Sequence, residues 1–171
     1  MRSIKIMTPH QVSVSAESFT ATLLAWAGYD VSVQYGANQP EYDLIAACGE
    51  KMMKVSVKGS QDGGWGLAQS YKSGKTYGEA IDTWVNKHTG KTIVSLVQFQ
   101  DVDLEKGEMP RVYLATPQEI GVFMKNMRNG YGHTSLKERH FWTSGVGKGT
   151  NDEVPHNWKF SKRRIEELIN V

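Results

Sequence analysis

Between Ser15 and Gly28 the apolar residues Ala16, Phe19, Leu23, Leu24 and Ala27 recur at near-helical spacing, which predicts a first helix over "SAESFTATLLAWAGYD". Ser13 or Ser15 caps its start and Gly28 ends it. Glu17 falls in the predicted first turn, where a carboxylate favours the positive end of the helix dipole. The strict alternation of "DVSVQY" predicts a strand, "GANQPE" a turn, and "YDLIAACGEKMMKVSVKGS" two more strands joined tightly. The glycine- and serine-rich "GSQDGGWGLAQSYKSGKTYG" reads as a mobile surface loop. "EAIDTWVNKH" reads as a short helix, or in part a strand. "KTIVSLVQF" is a buried strand and "RVYLA" another. "TPQEIGVFMKNMRNG" is a helix with Thr116 as cap, Pro117 in the first turn and Gly130 after its end. The tail from Tyr131 to Pro155 lacks clear periodicity, and "SKRRIEELIN" closes the chain as a short helix capped by Ser161. This order predicts an α/β fold with a mixed β-sheet flanked by helices. Residues 1–171 form one domain, with an α/β core over 13–115 and a helical and irregular C-terminal extension over 116–171.

The hairpin sets the register of its own polar groups. A turn centred on Gly49-Glu50 puts Cys48 opposite Lys51 and Ala47 opposite Met52. Counting back, Asp43 lies opposite Ser56 and Glu41 opposite Lys58. Directly opposed side chains share a face, so Asp43, Ser56 and Lys58 gather on one side, with Leu44, Ala46, Val55 and Val57 on the other. A slip of one residue would send Asp43 among the valines. The bland reading is a solvated face with an incidental Asp–Lys pair, worth about 0–1 kcal/mol.

With 171 residues, 39% of them hydrophobic and 22% charged, the chain has the composition of an ordinary globular domain. No stretch approaches the ~18 apolar residues of a membrane span. One cysteine, Cys48, excludes an internal disulfide and a cysteine-rich zinc site, and it suits a reducing compartment. The opening residues lack the apolar core of a secretory signal, so the cytoplasm is the expected location. Net charge is +2, which permits a polyanionic partner without arguing for one.

A helix with an early glutamate, a strand, a Pro-x-x-Asp entering a hairpin and a lysine ending the next strand together resemble the PD-(D/E)XK, or restriction-endonuclease-like, nuclease superfamily. Its Holliday-junction-resolvase-type members are the most similar. The residues are "AESFTATLLAWAGYDV" with Glu17, "PEYDLIA" with Pro40 and Asp43, and "KVSVKGS" with Lys58; they span roughly a third of the chain. The resemblance implies a Mg²⁺- or Mn²⁺-dependent DNA endonuclease. Asp43 would bind the metal, Glu17 would support it or its water shell, and the Val57 carbonyl would complete the shell. Lys58 would orient the attacking water or stabilise charge on the phosphate. Ser56 stands where the family places Glu, Asp or Gln, and a hydroxyl is no substitute for a carboxylate on a hard dication. Either another carboxylate reaches in (Glu17 first, then Asp62, Glu79 and Asp82) or the chain is an inactive relative that binds DNA or a protein partner. DNA is the expected partner, a homodimer stays open, and a membrane is not expected.

Trp158 to Arg164, "WKFSKRR", holds four basic residues and no acid. Lys159, Lys162, Arg163 and Arg164 are therefore candidate nucleic-acid contacts, against the plainer reading of a solvated face paired with Glu166 and Glu167. "HTSLKERHFW" interleaves Lys137, Arg139 and His140 with Phe141 and Trp142, a pattern that grips a backbone and stacks bases or simply pins a tail. Gln69 and Trp65 are left between site and scaffold. The five histidines have no zinc spacing, and "GVGKGT" lacks the phosphate-loop fingerprint.

Overall fold

The computed structural model describes residues 6–34 and 41–170; Pro40 lies outside them. Thr8 and Gln11 form a capping box and Pro9 occupies the first helical turn, so helix α1 (Pro9–Trp26) begins nearly two turns before the predicted start. Ser13 and Ser15 lie inside it, and Glu17 sits in its third turn, away from the helix terminus. The expected dipole contribution of Glu17 is therefore absent.

Five strands form one mixed sheet: β1 (Asp30–Val33), β2 (Leu44–Cys48), β3 (Lys51–Ser60), β5 (Thr92–Gln98) and β6 (Arg111–Ala115), in the order β1-β2-β3-β5-β6. Only β3 and β5 run parallel. The hairpin has the predicted register, Cys48 opposite Lys51 and Ala47 opposite Met52, around Gly49 at φ 61°. Helices α1 and α4 (Lys162–Ile169) cover one face over Leu44, Val55, Ile93 and Leu114. Helices α2 (Tyr77–Asn86) and α3 (Pro117–Asn126) cover the other over Val94, Leu96 and Ala115. Each such side chain contributes about 1.5–3 kcal/mol relative to exposure, which holds the register against a slip.

Only part of the glycine-rich segment is a surface loop: residues 73–76 form an exposed turn, but the stretch around Trp65 packs inward. Short strand β4 (Gly64–Gly66) pairs with β7 (Ser135–Lys137), and Trp65 is buried, its indole N–H donating to the Val97 carbonyl at 3.3 Å. The tail is ordered likewise: β8 (Arg139–Phe141) and β9 (Asn151–Glu153) make a separate hairpin. Helix α3 stops before Arg128 and Asn129, both at φ near 60°. Among the described residues no helix is long and apolar enough to cross a membrane.

Candidate active site

The site lies where β2 has left the sheet but β3 continues. Asp43 precedes β2; its N–H donates to the Val55 carbonyl at 2.9 Å, and its Oδ2 accepts from the Val57 N–H at 2.6 Å. The carboxylate thus stands in for the missing strand partner, since a half-buried backbone donor needs an acceptor. By the alternation of the strand, the Val57 carbonyl faces the same open edge. Asp43 and Val57 share a cleft of about 480 Å³ with Glu17, Lys58, Gln61, Asp62 and the β4 residues Gly64–Gly66.

Two features draw α1 onto this edge. Gly59 lies under it; a Cβ there would stand 2.7 Å from Val12 Cγ1 and 3.0 Å from the Val12 carbonyl. Gln61 grips the helix entrance at both ends of its amide, accepting from Met7 N–H at 3.1 Å and donating to Met7 O at 2.7 Å. Glu17 is consequently half-buried. Burial, then the nearby Asp43 carboxylate, push its pKa above the ordinary range, outweighing Lys58 and His10. The structure therefore brings together Glu17, Asp43 and Lys58, from three separate stretches of chain. Gly59 and Gln61 escaped the sequence reading. A glycine directly after Lys58 inside a strand pattern was the available signal, because it marks close backbone approach.

Other expectations separate from the cleft. Ser56 is 1% exposed, pairs with Val94 on the α2 side of the sheet, and does not line the cleft, so it has no access to the site. Glu79 closes the capping box of α2 with Thr76, and Asp82 pairs with Lys125 at 2.5 Å. Of the alternative carboxylates Glu17 and Asp62 line the cleft, Asp62 with Oδ1 accepting from the Ser60 hydroxyl at 2.9 Å. Gln69 donates to the Ser135 hydroxyl at 2.6 Å and serves the scaffold. Arg164 is buried: its Nε donates to the Leu114 carbonyl at 3.0 Å and its Nη2 to Glu119 at 2.6 Å. Those bonds, with Ser161 capping α4, offset a cation placed at a helix N-terminus, so Arg164 is no nucleic-acid contact. Arg163 pairs with Glu167 at 2.9 Å, while Lys159 and Lys162 are exposed.

Among the described residues no group of three or more His, Cys, Asp or Glu side chains is placed to hold a metal ion. Besides Asp62, the cleft does offer two electrostatically linked carboxylates, Glu17 and Asp43, and a backbone carbonyl. That set fits magnesium, which takes one or two carboxylates and keeps several waters. Burial is the first cause of the raised Glu17 pKa and the Asp43 charge the second; a dication between the two carboxylates would relieve the second. Comparison with family models gives no match, and comparison with curated proteins gives none either.

Proposed function

We propose that this chain is a Mg²⁺- or Mn²⁺-dependent DNA endonuclease of restriction-endonuclease-like fold, hydrolysing phosphodiester bonds in the cleft. The observation that carries the reading is the convergence of Glu17, Asp43 and Lys58 beside an open strand edge. The element order α1-β1-β2-β3-β4-α2-β5, with β3 parallel to β5 in the main sheet, supports it.

When bound, the ion would neutralise phosphate charge and acidify a water. Asp43 and Glu17, with the Val57 carbonyl, would hold it. The Val57 N–H fixes one Asp43 oxygen and so sets the orientation of the other. Lys58 would donate from its ammonium to a non-bridging phosphate oxygen or to the attacking water, matching charge as it builds in the transition state. Purified protein with Mg²⁺ or Mn²⁺ is expected to nick plasmid DNA, and Asp43→Ala or Lys58→Ala to lower the rate roughly a hundredfold or more. Failure of the wild type to cut plasmid and branched DNA in either metal ends the proposal.

A second reading, a catalytically silent relative that binds DNA or protein, is favoured by one observation: the position the family fills with an acid is the buried Ser56. DNA binding without cleavage in any divalent metal supports it.

A further inference from the structure

The chain has five phenylalanines. Phe19, Phe99, Phe123 and Phe160 pack against the two cores, whereas Phe141 is 59% exposed. It belongs to the outward face of the β8–β9 hairpin with Arg139, Asn151 and Glu153, all exposed. The inward face is anchored. Trp142 Nε1 donates to Asp152 Oδ2 at 2.6 Å, and the Arg128 N–H donates to the same oxygen at 3.0 Å. The hairpin is therefore a fixed mount that holds an aromatic ring in water.

Single exposed apolar residues are common, so position and charge must make the case. The mount adjoins the cleft: Lys137 pairs with Gly64 of the cleft wall, and Glu138 N–H donates to the Gly63 carbonyl at 3.0 Å. From Lys137, paired with β4 at the cleft wall, to Phe141 the chain spans at most about 13 Å, the length of about four base steps. Charge also concentrates here. Between Met127 and Arg163 seven Lys and Arg oppose three Asp and Glu, an excess of four, while the whole chain carries +2. One of those acids, Glu138, is neutralised by Arg111. Arg139 faces Glu153 at 3.8 Å across the hairpin and Arg163 pairs with Glu167 at 2.9 Å, so Lys137, Lys148, Lys159 and Lys162 carry the excess. An exposed ring on a cationic surface suits a strand with free base faces, which an intact duplex keeps stacked.

We propose that this hairpin holds unpaired DNA leading into the cleft, with Phe141 stacking a base and Lys137 and Arg139 contacting phosphates. Resting on the nuclease reading, it makes the substrate a DNA whose single-stranded nucleotides reach about four base steps beyond the β4 wall of the cleft. The test is fluorescence anisotropy of the full chain without metal, on labelled oligodeoxythymidine and a blunt duplex, beside Mg²⁺-dependent cutting of a forked duplex by the wild type. Phe141→Ala is expected to lower the ratio of single-strand to duplex affinity roughly tenfold, and Phe141→Trp to restore it. A ratio that Phe141→Ala leaves unmoved, as for a hairpin that docks protein, overturns the proposal even if the fork is cut. A Phe141-dependent ratio without cutting sustains the hairpin's role and removes the nuclease reading instead.

Discussion

Two carboxylates beside the central sheet, Glu17 in the cleft next to β3 and Glu138 against β6, are treated in opposite ways. Glu138 is nearly buried, yet Arg111 meets both its oxygens at 2.7 and 2.9 Å and the Tyr113 hydroxyl donates to it at 2.6 Å. Burial pushes its pKa up, but those bonds prevail and hold it below the ordinary carboxylate range. Burial and the Glu138 charge raise the Tyr113 phenol in turn. Glu17, half-buried in the cleft, is pushed upward first by burial and then by the like charge of Asp43. The chain thus satisfies one acid internally and leaves the other pair short of positive charge. The first arrangement is that of a structural ion pair. The second resembles a site that expects a cation from outside, at some cost in stability.

Breaking the satisfied end has the largest effect on stability. Glu138→Ala leaves Arg111 and Tyr113 without their acceptor and is expected to cost about 2–3 kcal/mol in urea denaturation, less than a fully buried pair because the Arg111 side chain is 41% exposed. Next comes the packing that forces the unsatisfied end together. Gly59→Ala is expected to destabilise by about 1–2 kcal/mol, and to weaken Mn²⁺ binding measured by calorimetry. Adding Val12→Ala removes the nearest clashing atom and should recover part of both. A Gly59→Ala protein with unchanged Mn²⁺ affinity would separate α1 from the metal proposal.

The smallest effect is in pH dependence, and its sign distinguishes the two acids. Glu17 has a raised folded-state pKa, so its favourable contribution is complete below about pH 4 and is lost as pH rises through the folded value. Glu17→Gln should therefore raise the urea midpoint at pH 7, and the gain should vanish below about pH 4. Glu138, with a depressed value, contributes above that range and loses its contribution as pH falls through the folded value. A midpoint at pH 7 that Glu17→Gln lowers would show that the cleft carboxylates are compensated within the chain.

The large apolar patterns were legible in sequence because they report local periodicity and burial. The hairpin register followed from the valines and a two-residue turn, and "KTIVSLVQF" from a largely apolar run bounded by turn signals. The start of α1 was legible too, in Thr8, Pro9 and Gln11, though the apolar spacing pointed further along the chain. Trp65 and Trp142 were ambiguous, since a tryptophan among glycines or basic residues has the same local sequence whether it folds inward or stays in solvent.

What the sequence by itself determined is which residues alternate, which cap, and therefore that Asp43 and Lys58 stand at the same end of one hairpin. Tertiary structure alone decided that Glu17 joins them, that Ser56 is sealed beneath α2 and α3, and that Arg164 turns inward to Leu114 and Glu119. The reason is physical. Strand and turn geometry act over a few residues, whereas the approach of a helix depends on a gap such as Gly59 that matters only once two distant segments meet.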